Sequence, residues 1–118
     1  MKSDLADDFP HKELTYKIIG CFFKVHNFLG NSLEERYYQR SLEKEFTDSG
    51  LKFEKEREIE LLYNGESIGK HRADFIVEGK IIVETKTLPY LDSKSTTQLL
   101  AYLKSTGIKI GFVNPLIR

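Results

Sequence analysis

The first half of the chain predicts two amphipathic helices. Hydrophobic side chains recur at helical spacing from Glu13 to Gly30, a glycine of the kind that often follows a helix. These hydrophobic positions are Leu14, Ile18, Cys21, Phe22, Val25, Phe28 and Leu29. A second helix is expected from Ser32 to about Ser49, with Gly50 ending it.

After Gly50 the pattern changes from helical to alternating, which predicts three β-strands. Asn64-Gly65 separates the first two strands and is typical of a tight hairpin turn, and Glu78-Gly79 separates the second strand from the third. We expect these strands to cover about residues 51–63, 67–77 and 80–87 and to form a meander.

The last part of the chain predicts one more helix and one more strand. The helix begins near Asp92 or Ser93 and ends at Gly107, and the strand covers residues 108–114. The fold class is therefore α/β, with a mixed four-stranded sheet flanked by helices in the order ααβββαβ. The last strand follows a helical crossover, so it can pair in parallel.

The second and third strands carry charges where an apolar alternation is expected. The sequence from Ala73 to Lys86 reads ADFIVEGKIIVETK. Because side chains alternate along a strand, Glu84 and Lys86 share one face of the sheet and Thr85 points to the other. The position of Asp74 depends on the turn that joins the two strands.

Two registers of this hairpin differ in the residue that faces Asp74. A two-residue turn at Glu78-Gly79 places Asp74 opposite Val83, so that the two acidic side chains lie on different faces. A three-residue connection, with Gly79 in the left-handed conformation that glycine tolerates, places Asp74 opposite Glu84. We predict the second register.

Two carboxylates on facing strands repel each other unless a cation lies between them. Oxygen ligands of this kind suit Mg²⁺ or Mn²⁺. Lys86, two residues beyond Glu84, can then position or activate a water molecule and stabilise negative charge on a phosphate. The alternative is an ordinary Glu-Lys pair on a half-solvated sheet face, and the spacing alone does not decide between the two.

Glu35 lies in line with the hydrophobic residues Tyr38, Leu42 and Phe46 on a helical wheel. A carboxylate on the side that faces the core is explained if it belongs to the metal site. It also fits a capping box, in which Ser32 caps the helix and Glu35 reaches back to it. The two roles compete for one carboxylate, and we favour the metal site.

Gln98 and Tyr102 are four residues apart and share a face of the third predicted helix. They could hydrogen-bond the site lysine or a phosphate, or be ordinary surface residues. The hydrophobic residues expected on the other side of this helix are Leu99, Leu100 and Leu103. A further basic group, Lys70, His71 and Arg72, could touch a phosphate backbone, although we expect two of the three to be only solvated.

Composition limits the classes of function. With 18 basic and 18 acidic residues the formal net charge is +0, so the chain lacks the broad basic surface of a protein that coats nucleic acid. One cysteine, Cys21, permits no intrachain disulfide. We find no stretch that could span a membrane and no signal peptide, and we expect a cytoplasmic protein. Residues 1–12 are expected to be a flexible lead-in and residues 13–118 a single domain.

Three segments resemble the GxxExxY proteins, a group within the PD-(D/E)XK nuclease superfamily. They are IIGCFFKVHNFLGNSLEERYYQRSL, HRADFIVEGKIIVETK and QLLAYLKSTGIKIGFVN, and the likeness covers about residues 13–114. Two positions depart from the pattern, since Ser32 replaces the glycine of GxxExxY and Ala73 replaces the proline of the superfamily name. Neither departure removes a candidate ligand.

The resemblance implies a PD-(D/E)XK nuclease-like core and a set of site residues. Those that match the metal and catalytic positions are Glu35, Asp74, Glu84 and Lys86, with the three acidic residues as ligands of Mg²⁺ or Mn²⁺. The pair Gln98 and Tyr102 resembles the QxxxY motif of RecB-type members, which act on DNA ends.

The leading hypothesis is a metal-dependent nuclease that acts on nucleic acid, with DNA favoured over RNA. The competing hypothesis is a catalytically silent module with the nuclease fold that binds nucleic acid or a partner protein. Small size and neutral charge favour the silent module, whereas retention of all four charged site residues favours the enzyme. The sequence leaves a partner protein or a homodimer open.

Overall fold

The computed structural model describes residues 10–30, 34–86 and 93–115. Within these ranges the chain forms helices and strands in the predicted order ααβββαβ. The elements are α1 (Lys12–Leu29), α2 (Glu35–Asp48), β1 (Phe53–Tyr63), β2 (Glu66–Val77), β3 (Ile81–Lys86), α3 (Ser93–Thr106) and β4 (Ile110–Pro115). Residues 1–9 of the predicted lead-in lie outside the described residues, and its last residue, Lys12, begins α1.

The strands form one mixed sheet in the order β1-β2-β3-β4. The first three are antiparallel neighbours, and β4 pairs in parallel with β3. A tight turn reverses the direction of the chain, so two parallel neighbouring strands need a longer crossover connection. Helix α3 provides that connection between β3 and β4. Both the meander and the parallel last strand are confirmed.

Buried side chains of the described residues form two hydrophobic layers, one on each face of the sheet. In the first layer α1 and α2 contribute Ile18, Cys21, Tyr38, Leu42 and Phe46, which pack with Phe75, Val77, Ile81 and Val83 of the sheet. In the second layer Leu99 and Tyr102 of α3 pack with Ile59, Ala73, Ile76 and Ile82. The sheet is therefore flanked by helices, as predicted, and the structure places them on both of its faces. Among the described residues, no helix combines the length and hydrophobicity that crossing a membrane requires.

Two hydrophobic residues do not lie where the helical patterns predict. Phe28 is 88% exposed, because at the end of α1 its neighbour Leu29 packs against the core instead. Leu100 is 53% exposed, because Leu99 and Tyr102, three residues apart, are the α3 residues that lie on the sheet. The predicted grouping of Leu100 with Leu99, and of Tyr102 with the opposite face, is wrong.

The start of α2 differs from the prediction as well. The helix begins at Glu35, with Glu34 at the capping position and no side-chain hydrogen bond from that cap. Ser32, the predicted cap, lies outside the described residues, and so does the capping box that it would form with Glu35.

The β2–β3 hairpin adopts the predicted register. Val77 pairs with Ile81 and Phe75 pairs with Val83, so three residues connect the strands. Gly79 has φ +67°, as this connection requires, and Glu78 also has a positive φ of 54°. The Lys80 N–H donates to the Val77 carbonyl at 2.9 Å and closes the turn.

The alternation of β2 is broken at Asp74. Residues two apart on a regular strand share a face, yet Ala73 packs in the α3 layer whereas Phe75 packs in the α1–α2 layer. The pairing with β1 skips Asp74 and the opposite residue Glu56, which has φ 52°. Asp74 therefore forms no regular backbone pair with β1, at the point where the pairing of β2 with β3 also ends.

Candidate functional site

The candidate site lies where β2 and β3 part beyond the Phe75–Val83 pair. Instead of pairing by their backbones, the two strands exchange hydrogen bonds between side chain and backbone. The Asp74 N–H donates to Glu84 Oε2 at 3.1 Å, and the Thr85 N–H donates to Asp74 Oδ2 at 2.7 Å. Each carboxylate therefore satisfies a backbone N–H of the opposite strand, and the two acidic groups stay side by side.

A chain of hydrogen bonds connects Asp74 to helix α2. The Thr85 hydroxyl donates to Asp74 Oδ2 at 3.0 Å and accepts from Gln39 Nε2 at 2.7 Å. The same Gln39 amide donates to Glu35 Oε2 at 3.3 Å. Glu35, which is half-buried, is thus held at the first turn of α2 beside the strand carboxylates.

The carboxylates interact electrostatically. Of the acidic residues in the described ranges, Glu84 alone is buried, with 4% of its surface exposed. Burial raises the pKa of Glu84 to about 7, and the charge of Asp74 adds to this effect, while Lys86 acts in the opposite direction. Burial also raises the pKa of Glu35, followed by the charge of Asp74, and Lys86 again opposes the shift. The charges of Asp74 and Lys86 therefore act on both Glu35 and Glu84.

Tyr102 lies near the site but contacts it through another residue. Its ring stacks on the His71 imidazole, with the ring centres 3.8 Å apart and the planes inclined by 9°. His71 Nε2 is 3.2 Å from Glu84 Oε1. Burial raises the pKa of Tyr102, with a further contribution from the charge of Glu84. Burial lowers the pKa of His71, which favours a neutral imidazole at pH 7.

Gln98 does not share the environment of Tyr102. It is exposed, whereas Tyr102 is 8% exposed, although the two residues are four apart on α3. The shared face predicted for this pair is therefore wrong for Gln98, because the buried face of α3 runs through Leu99 and Tyr102. A role for Gln98 stays a prediction.

Gln39, Thr85 and His71 belong to the site although the sequence did not assign them to it. Gln39 is four residues after Glu35, a spacing that brings helical side chains together and could have signalled the contact. Thr85 was correctly expected to point away from Glu84, but its N–H and hydroxyl both reach Asp74. For His71 the sequence predicts only a phosphate contact or a solvated side chain.

A hollow of about 140 Å³ opens beside Asp74, between α2 and the first two strands. Its cationic side chains are Arg36, Arg40 and Lys55. Lys55 forms an ion pair with Glu43, at 3.3 Å, whereas Arg40 is exposed. Glu43, Glu56 and Asp74 line the same hollow, so its basic and acidic side chains are equal in number, and Arg36 also pairs with Glu34 at 3.5 Å.

The described residues include no group of three His, Cys, Asp or Glu side chains that is already arranged to hold a metal ion. Glu35, Asp74 and Glu84 are joined through Gln39, Thr85 and backbone N–H groups instead. The available donors are carboxylate oxygens, which suit hard divalent cations such as Mg²⁺ and Mn²⁺. The chemistry of these carboxylates therefore suits a divalent cation. Their side chains would have to shift to coordinate the ion together.

Comparison with known proteins identifies the family. The sequence profile described as the PD-(D/E)XK nuclease superfamily matches residues 12–114. Neither a curated protein nor a solved structure gives a match. The matched range contains all the candidate site residues and every element of the fold apart from the last residue of β4, and it supports a nuclease-like function. The chain therefore belongs to the PD-(D/E)XK nuclease superfamily.

Proposed function

We propose that the domain is a divalent-metal-dependent nuclease that hydrolyses phosphodiester bonds, with DNA as its substrate. The observation that carries the proposal is Glu84, a carboxylate that is 4% exposed beside Asp74 and has its pKa raised to about 7. A buried carboxylate next to a second one destabilises the fold when it ionises, unless a cation compensates for the charge. Perturbed groups of this kind concentrate at functional sites.

The donor set fits Mg²⁺ or Mn²⁺. Asp74 and Glu84 would be the principal ligands, and Glu35 would act directly or through a bridging water. Burial, followed by the charge of Asp74, raises the pKa values of Glu35 and Glu84, and a divalent cation between the carboxylates would oppose both effects by favouring the ionised forms. When bound, such an ion polarises a phosphoryl oxygen and lowers the pKa of a coordinated water.

The remaining groups of the site would bind and orient the reactants. Lys86, which is half-buried at the end of β3, is close enough for its charge to favour the ionised forms of Glu35 and Glu84. Its ammonium group would orient the attacking water and stabilise negative charge on the phosphate. Thr85 and Gln39 would hold Asp74 and Glu35 in place through the hydrogen bonds described above.

DNA as substrate is supported by the motifs and by basic side chains that lie beside Asp74. Arg36, Arg40 and Lys55 line the hollow that contains Asp74, where they would meet the phosphates of a bound strand. Gln98 and Tyr102 resemble the QxxxY motif of RecB-type nucleases, and the helix sequence resembles the GxxExxY group. The finer family membership and the end-directed mode of action of RecB-type enzymes are part of this proposal.

A cleavage assay tests the proposal. Purified protein should degrade labelled single- or double-stranded DNA in Mg²⁺ or Mn²⁺, and EDTA should abolish the activity. A matched panel of RNA substrates would show whether the protein cleaves RNA in preference to DNA. Cleavage that is unaffected by EDTA, or equal in wild type and Asp74→Asn, would contradict the proposed site.

The silent nuclease-fold module predicts a different outcome. In that case the protein binds nucleic acid or a partner while no substrate is cleaved in any divalent ion. Measuring DNA binding by fluorescence anisotropy alongside cleavage separates the two functions, because only an active enzyme degrades the bound DNA with time.

A further inference from the structure

His71 makes two contacts that fix its ring. It lies on β2 opposite Ile59 of β1, so its backbone is held within the sheet. Its imidazole lies flat on Tyr102, with the ring centres 3.8 Å apart and the planes 9° from parallel. Tyr102 is itself buried in the layer that α3 forms on the sheet. The docking of α3 therefore determines where the His71 ring lies.

The fixed ring reaches Glu84. His71 Nε2 is 3.2 Å from Glu84 Oε1, whereas Glu84 Oε2 accepts the Asp74 N–H at 3.1 Å. Each oxygen of the carboxylate is thus held by a different residue of β2. Two hydrogen bonds from different directions fix both the rotamer of the side chain and the plane of the carboxylate.

The break in strand alternation makes this contact possible. On an unbroken strand His71 would share a face with Phe75 and point into the α1–α2 layer. Because the alternation is broken at Asp74, His71 lies on the α3 side with Ala73 and reaches Glu84 there. The same irregularity that frees Asp74 therefore also brings the imidazole to the second carboxylate.

We propose that His71 is a positioning residue for Glu84 and that Tyr102 acts on the site through it. The proposal rests on the proposed function, since Glu84 is taken to be a metal ligand. Partners that orient a ligating carboxylate typically change metal affinity or activity by 10–100-fold when they are removed. In this arrangement the tyrosine of the QxxxY-like pair needs no direct contact with the metal or the substrate.

The test compares His71→Phe with His71→Gln. Phenylalanine keeps an aromatic ring on Tyr102 but removes the hydrogen bond to Glu84, whereas glutamine keeps a polar group near Glu84 without the ring. We expect His71→Phe to weaken Mn²⁺ binding, measured by calorimetry, by about 10-fold or more, and His71→Gln to recover part of that loss. His26→Gln, a histidine change on α1, serves as the matched control and should leave the affinity unchanged.

A second readout needs no metal. NMR scalar couplings of the Glu84 side chain should report one rotamer in wild type and averaging in His71→Phe. Tyr102→Leu removes the stacking surface and should show the same averaging, which keeps the proposal testable if His71→Phe does not fold. Unchanged Mn²⁺ affinity together with one unchanged Glu84 rotamer in a folded variant would overturn the positioning role. If wild type binds no Mn²⁺, the proposed function fails, and the rotamer measurement still decides whether His71 holds Glu84.

Discussion

Replacing Glu84 with glutamine is expected to stabilise the metal-free fold at neutral and alkaline pH. Burial, with the charge of Asp74 as the second cause, raises the pKa of Glu84 from its ordinary value of 4.5 to about 7. At about 1.4 kcal/mol per pKa unit, this shift corresponds to roughly 3 kcal/mol. That free energy is the cost of ionising the buried carboxylate in the folded state, and a glutamine does not ionise.

The pH dependence has a definite sign. Because the pKa of Glu84 is higher in the folded state, the folded chain retains a proton that the unfolded chain releases. The cost is therefore absent well below the ordinary pKa, grows as the pH rises, and is complete above the folded-state pKa. Relative to wild type, the free energy of unfolding of Glu84→Gln should rise by about 3 kcal/mol between roughly pH 4 and pH 8.

Urea unfolding followed by circular dichroism in EDTA measures this difference. The free energies of unfolding of Glu84→Gln and wild type can also differ by an amount that is independent of pH. Only the change of this difference with pH tests the reasoning. Glu66→Gln, the same substitution at an exposed position of β2, is the matched control. If the Glu84→Gln difference changes by less than about 0.5 kcal/mol over this range, burial of the ionised carboxylate is not the destabilising element that we infer.

Four further predictions follow from the site. Asp74→Asn should weaken Mn²⁺ binding and abolish cleavage together, as seen by calorimetry and a DNA cleavage assay, because it removes one ligand charge. In wild type, Mn²⁺ affinity should increase from pH 6 to pH 8, because Glu84, with a pKa of about 7, must lose its proton to bind the ion. Lys86→Ala should retain or strengthen metal binding, since a positive neighbour is lost, yet slow cleavage by about 100-fold or more; equal rates would exclude the role assigned to Lys86. Arg40→Gln should weaken DNA binding, and the slope of log affinity against log salt concentration should decrease by the amount expected for about one phosphate contact. Fluorescence anisotropy at several salt concentrations measures both.

The sequence predicted most of the fold because its local signals agree with one another. The Asn64-Gly65 turn, the glycine at position 79 and the helical stripe of Tyr38, Leu42 and Phe46 each specify one local structure, and the tertiary packing supports all of them. For the β2–β3 hairpin the sequence limits the register to two discrete pairings, but a positive φ at Gly79 suits a two-residue turn as well as a three-residue connection, so the glycine alone does not select the observed register. That register brings Asp74 and Glu84 together.

The contacts of His71 could not be predicted from the pattern, because a regular alternation places its side chain on the wrong face. The break at Asp74 depends on the pairing with β1, where Glu56 adopts φ 52°, and a glutamate carries no sequence signal for that conformation. The stacking of His71 on Tyr102 depends further on how α3 docks. The prediction that Phe28 belongs to the packed face of the first helix is wrong, because the hydrophobic pattern of a helix does not show where the element packed against it ends.

The most direct test of the account is a calorimetric titration of Mn²⁺ into metal-free wild type, Asp74→Asn and Glu66→Gln at about pH 8, where Glu84 is ionised. The central claim is that the carboxylates at the parting of β2 and β3 form a cation site. We predict saturable binding by wild type and Glu66→Gln and at least about a 10-fold loss of affinity in Asp74→Asn. No binding by wild type, or equal binding by Asp74→Asn, would contradict the claim.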